Sequence, residues 1–156
     1  MPFEYLPIMA QNAAPKPARR LVTPTTRSWS PVQEPVSKAR VALLTSAALR
    51  LAHQEPFIPR DDLSYRLVSS DPSAGEIIID HHSGIGTVPK KDPEIIFPRT
   101  ALASLVTKGI VGKLAPYHVS VMGGVRQHKQ IETELAPAIA QEFKNAKIDL
   151  ALLVPY

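Results

Sequence analysis

The sequence predicts an α/β domain: a Rossmann-like, three-layer arrangement around a mostly parallel sheet, with a hairpin insertion and an extended N-terminal arm. Three observations carry this. Short apolar runs at 41–45, 117–122 and 149–154 read as strands, the first with the pattern of one buried on both faces. From 94 to 154 strand-like and helix-like patterns alternate, the order of crossover units that build a right-handed parallel sheet. The length of 156 residues, 44% hydrophobic and 21% charged, suits one domain with a real core. No apolar run approaches the ~20 residues of a membrane-spanning helix.

Residues 1–37 form the expected arm. The first 40 residues hold seven of the 16 prolines, each fixing φ and removing a backbone donor. The same stretch carries six Lys/Arg against two acids, and beyond it acids and bases cancel, so the formal charge of +4 belongs to the first 40 residues. A pI of about 9.5 therefore describes a tail, and nothing resembles a nucleic-acid-binding face. Phe3, Tyr5, Leu6, Ile8 and Trp29 suit either an arm that wraps a partner or a mobile tail. The N-terminus lacks a secretory pattern and there is no Cys, so a cytoplasmic setting without disulfides is expected.

The domain proper spans 38–156. Val41-Ala42-Leu43-Leu44-Thr45 is its first strand; a Pro-punctuated connection over 55–62 leads to a weakly alternating outer strand at 64–68. The turn Asp71-Pro72-Ser73-Ala74-Gly75 precedes a β-branched strand at 76–80, and these two strands are expected to pair as a hairpin. Residues 83–93 read as a loop. A helix opens at 97–100 with Leu102, Leu105, Val106 and Ile110 on one face and Gly109 or Gly112 as its stop. After the strand 117–122 and Gly123-Gly124, a second helix runs to about Lys147 with Ile131, Leu135, Ile139 and Phe143 every four residues. Pro137 must start or kink it. The last strand is 149–154.

Several residues suit chemistry. Asp62, Ser64 and Arg66 alternate, so in a strand they share a face; Arg66 fits either a two-pronged carboxylate clamp oriented by Asp62 or an edge salt bridge. His81 and His82 follow an apolar strand, where an imidazole that titrates near neutrality suits proton donation to a leaving amine. Neighbouring strand residues face opposite ways, and His53, His118 and His128 lack ligand spacing, so no metal site is expected. Lys91 and Asp92 suit either steering of an anionic substrate or a solvated loop. Met122-Gly123-Gly124 joins strand to helix as an anion-holding turn or a tight structural one. The full Gly-x-Gly-x-x-Gly fingerprint is missing, which excludes a nicotinamide cofactor.

Taken in order, Val41 to Thr45, Asp62-x-Ser64-Tyr65-Arg66, His81, Lys91-Asp92-Pro93-Glu94-Ile95-Ile96-Phe97-Pro98, Leu105-Val106-x-x-Gly109-Ile110-Val111-Gly112, Val121-Met122-Gly123-Gly124 and Asp149 to Val154 resemble the selenoprotein B family. That family comprises the substrate-specific subunits of glycine, sarcosine and betaine reductases and the small subunit of D-proline reductase. The resemblance implies an oxidoreductase subunit that reductively cleaves a carbon–nitrogen bond of a small amino-acid-type substrate. It selects His81 over His82 for proton transfer and implies substrate contacts from Asp62, Ser64, Arg66, Lys91, Asp92, Met122 and Gly123.

In the family a selenocysteine or cysteine, two residues before a second cysteine, follows the last strand, and selenocysteine is encoded by UGA. The resemblance therefore implies a redox residue after Tyr156, a domain incomplete at its C-terminus and an isolated chain that is inactive. It also implies a second reductase subunit bearing a carbonyl-type group, a thioredoxin-like electron donor and an oligomeric assembly. Two departures leave the substrate open: Glu94 stands where the family usually has Asn, and acidic positions expected between His81 and Asp92 are missing. The alternative is a non-catalytic interaction or ligand-binding subunit of a multi-chain complex.

Overall fold

Strand β1 (Arg40–Thr45) is the axis of the sheet, as its run of apolar residues requires. Along one edge it pairs in parallel with β5 (Lys113–Leu114) and then β6 (Tyr117–Val121); along the other it pairs in parallel with β7 (Leu150–Val154). Leu44 thus lies between Val119 and Leu153. The antiparallel β3 (Tyr65–Ser69) pairs with β6 and closes one side, the outer place expected for it. The computed structural model describes residues 30–81 and 91–156. Expectations for the arm up to residue 29, for His82 and for the loop up to residue 90 lie outside the described residues.

The chain is therefore mixed α/β with a mostly parallel sheet, but the expected hairpin is made differently. Strand β4 (Ile77–Ile79) pairs with β2 (Leu49–Leu51), not with β3, in a separate antiparallel ribbon. Leu49 and Leu51 are buried, while Arg50 between them turns to Asp80 and pairs with it at 2.7 Å. Three residues with one charge at the centre are too short to reveal this alternation. Strand β3 is drawn to β6 because Leu67 and Tyr65 fall opposite Val119 and Val121, placing all four on one face.

Alternate residues of β1 serve two cores. Val41 and Leu43 pack with Val68, Phe97 and Leu102, the last from helix α1 (Arg99–Thr107). Leu44 faces Val119, Leu135, Ile139 and Phe143, the last two from helix α2 (Ala136–Asn145). Helix α1 has no side-chain cap at Pro98; Glu94 instead reaches forward, its carboxylate accepting from the N–H groups of Thr100 (3.0 Å) and Ala101 (3.2 Å). Of the two expected stops, Gly109 is the one in left-handed geometry, at φ 70°. Gly112 serves a close approach, because a Cβ there would stand 2.4 Å from the Lys38 backbone. Ile110 lies beyond the helix and is exposed, so it does not extend the apolar face.

Pro137 stands in the first turn of α2, near the start expected for it, but does not break the longer helical run that leads into it. A short turn (His128–Gln130) and a π-helical turn (Ile131–Leu135) precede α2, and Ala136 N–H bonds to the Ile131 carbonyl, one residue further back than in an α-helix. Proline has no N–H to offer the normal ladder, so the widened turn sits where the bond is missing. It also explains the strict four-residue spacing: repeated steps of four overshoot a 3.6-residue turn, and a wider turn absorbs the drift. No helix among the described residues is long and apolar enough to cross a membrane.

Candidate functional site

The chain leaves β1 for β6 on one side and then crosses to β7 on the other, so the strand order reverses at β1. In parallel sheets such a reversal opens a crevice beyond the carboxyl ends of the strands, where ligands are held. The residues after the three strands meet there. Ser46, after β1, accepts a hydrogen bond on its Oγ from Tyr156 N–H (2.9 Å) and donates to the Tyr156 carbonyl (3.4 Å). Gly123, after β6, lies so close that a Cβ would stand 2.8 Å from the Ser46 carbonyl oxygen, 2.9 Å from His81 Nε2 and 3.4 Å from the Tyr156 carbonyl.

His81 completes the group. Its ring stands edge-on to Tyr156, centroids 4.9 Å apart at 84°. It is carried there by the β2–β4 ribbon, since Asp80 N–H donates to the Ala48 carbonyl (3.0 Å) just after β1. The Asp80 carboxylate is itself held by Arg50 and by Phe57 N–H (2.9 Å). Met122 lies buried beneath with Ala48, Phe57 and Val125.

Thus the structure brings His81 and Gly123 together, with Met122 supporting them. Ser46 and Tyr156 were not singled out by sequence; the available signal was that each is a polar residue just past an apolar strand.

Asp62, Ser64 and Arg66 are linked, though not as three residues on one strand face, since β3 begins only at Tyr65. Asp62 accepts from the N–H groups of Ile58 (2.6 Å) and Ser64 (2.7 Å) and from the Ser64 hydroxyl, whose oxygen accepts from Arg66 Nη1 (2.8 Å). Burial works to raise the Asp62 pKa, but these bonds and the Arg66 charge outweigh it and hold the carboxyl below its usual range. Arg66 also donates from Nε to Glu55 O (2.8 Å) and from Nη2 to Pro56 O (3.1 Å), and lies 4.3 Å over the Phe57 ring. Nε and Nη2 thus hold the 55–62 connection directly, and Nη1 bonds to Ser64 and to the Tyr65 carbonyl.

Lys91 is exposed, and the exposed Asp92 accepts from Glu94 N–H (3.1 Å) at the start of a 3₁₀ turn (Pro93–Ile95).

A second histidine, His118, is fully buried in β6. Its Nδ1 accepts from Leu43 N–H at 3.1 Å, so the proton sits on Nε2, which faces Ser70 Oγ at 3.3 Å; that hydroxyl donates to the Ala115 carbonyl. Burial, with a smaller push from the Arg99 charge, lowers the His118 pKa to about 4.

Comparison with known proteins adds one decisive relation. D-proline reductase subunit gamma of Acetoanaerobium sticklandii is 29% identical over 125 residues, 80% of this chain and 52% of that protein. The chain is similar to that reductase subunit over most of its length, which supports the resemblance to the selenoprotein B-like group. It spans about half the length of the curated relative it matches. No protein-family profile matches, and no solved structure matches significantly.

Proposed function

We propose that the chain is the scaffold part of a selenoprotein B-like reductase, a Rossmann-like three-layer unit whose crevice receives a small amino-acid-type substrate for reductive cleavage of its carbon–nitrogen bond. The observation that carries this reading is the convergence of Ser46, His81, Gly123 and Tyr156 at the carboxyl ends of three parallel strands in a chain similar to D-proline reductase subunit gamma. None of the 156 residues is Cys, so the redox residue comes from outside them. A selenol or acidic thiol there supplies a soft nucleophile that is anionic at neutral pH.

Each local residue then has a task. His81 holds a proton for the departing amine, and Gly123 keeps the crevice open beside it. Ser46 grips the Tyr156 backbone and so fixes the direction of the chain leaving β7. Asp62, Ser64 and Arg66 brace the 55–62 connection, while Lys91 steers an anionic substrate and Asp92 fixes the turn beside it. A second reductase subunit with a carbonyl-type group and a thioredoxin-like donor complete the assembly.

The test is turnover by the assembly purified from its source, with D-proline and dithiothreitol. Opening the proline ring converts a secondary amine to a primary one, which an amine-selective fluorogenic reagent detects. His81→Asn should lower turnover on the order of 10²-fold, the usual loss for a general acid.

One observation favours a second reading, an interaction subunit without chemistry. Leu153 on β7 is 65% exposed, on the same face as its partner Leu44, which with Val121, Ile139 and Phe143 lines an apolar groove of about 310 Å³. Absence of primary amine from D-proline and sarcosine, of ammonia from glycine and of trimethylamine from betaine would leave that reading in place.

A further inference from the structure

Just past Gly123 lies a second, polar cavity of about 210 Å³, lined by Arg60, Asp61, Gly124 and Arg126. Sequence singles out Gly124 as part of an anion-holding or structural turn, but not Arg60, Asp61 or Arg126. Asp61 and Gly124 both adopt left-handed backbone, φ 56° and 72°, which folds the two segments toward each other. Arg126 is locked in place: its backbone N–H donates to Asp61 Oδ1 (2.9 Å), its Nε to Oδ2 (3.0 Å), and its Nη2 pairs with the same carboxylate.

The cavity has capacity to spare. The Arg126 side-chain hydrogen bonds, foremost, hold the Asp61 carboxyl below its usual range, so it remains an anion at neutral pH. Two guanidinium groups nevertheless face one carboxylate. Among the described residues, Arg126 Nη1 and the whole Arg60 guanidinium have no acceptor. Arg66, by contrast, has an acceptor on every nitrogen.

We propose that this cavity binds the carboxylate of the small substrate, Arg60 closing on it while Arg126, already aimed by Asp61, offers Nη1. The proposal rests on the reductase reading and gives it a direction: with its carboxylate beyond Gly124, the substrate's reacting carbon is directed toward Gly123 and His81. A planar donor fork is suited to a carboxylate in a way a lone ammonium is not. Because Asp61 offsets one of the two cations, binding is reversible and of moderate strength.

Two measurements separate the cavity from the reaction. In ¹⁵N-resolved NMR of the full 156-residue chain, D-proline should shift the Gly124 and Arg126 amides saturably, and acetate should do the same. Pyrrolidine, which lacks the carboxylate, should not. The exposed Arg60→Gln should weaken D-proline binding about tenfold, the worth of one charge-assisted hydrogen bond, and Arg60→Lys should recover only part of it. In the assembled enzyme Arg60→Gln should raise KM and leave kcat within about twofold, as loss of uniform binding does.

Amides that respond equally to pyrrolidine, or not at all to either carboxylate, overturn the site even if the assembly reduces D-proline. Carboxylate binding here without turnover of any substrate keeps the cavity as a carboxylate site but removes its substrate role together with the reductase reading.

Discussion

Gly123→Ala is expected to destabilise the protein by about 2–3 kcal/mol and to abolish turnover in the assembled enzyme, because the added methyl group has nowhere to go. Of its three nearest neighbours, the Ser46 carbonyl oxygen at 2.8 Å is backbone, set by the five residue pairs that bind β1 to β7. It cannot retreat without loosening the sheet. The His81 ring at 2.9 Å can swing away, but then it leaves its edge contact with Tyr156 and its place in the crevice. Urea unfolding should show a lower midpoint at an unchanged m-value. The neighbouring Gly124→Ala is the control, since nothing lies within 4 Å of its Cβ position and only its φ of 72° resists substitution, at about 1 kcal/mol. Equal stability and activity of Gly123→Ala and wild type would show that the crevice is wider than described.

The second large effect is acid lability seated in His118. Its folded pKa of about 4 lies below the unfolded 6.5, so between these values the unfolded chain binds the proton and the folded one does not. The stabilisation is fully present above pH 6.5 and is lost as pH falls toward 4, amounting to about 3 kcal/mol by then. Asp61, Asp62 and Asp71, all shifted below 3.8, contribute stability that disappears only at still lower pH, so they do not mask this window. Equilibrium unfolding at pH 7 and pH 4 measures the difference. His118→Asn keeps an acceptor for Leu43 N–H but cannot titrate. It should be about 1–2 kcal/mol less stable at pH 7, having lost ring volume beside Phe97, yet nearly flat between pH 6.5 and 4. An unaltered slope in the variant would place the acid sensitivity elsewhere.

What could be read from sequence follows from how local each cause is. Strand β1 was legible because a strand covered on both faces has no room for polar residues, and the second helix because its four-residue apolar repeat survives Pro137. The form of that helix was not read from sequence, although the strict four-residue spacing and Pro137 both mark the π-helical turn once it is known. Strand β2 escaped because Leu-Arg-Leu is too short to show a period. The candidate site was half legible: His81 and Gly123 announce themselves by type and place. Ser46 and Tyr156 become a pair only through a hydrogen bond between residues 110 apart. Arg66 was recognisable as a useful cation, but its acceptors are carbonyl oxygens of Glu55 and Pro56, which sequence cannot rank.

The pairing of β1 with β7 also governs the order of events at the ribosome. Arg40 N–H meets its acceptor in Asp149, 109 residues later, and the ladder that follows joins β1 to β7. At ~5–20 residues per second, synthesis leaves one side of that early strand without its mate for roughly 5–20 seconds. Throughout that interval the nascent polypeptide presents a bare, oily β-edge, the kind of surface that chaperones seize and aggregates recruit. Docking of β7 is thus a latch for this sheet, and the crevice exists only once it has closed.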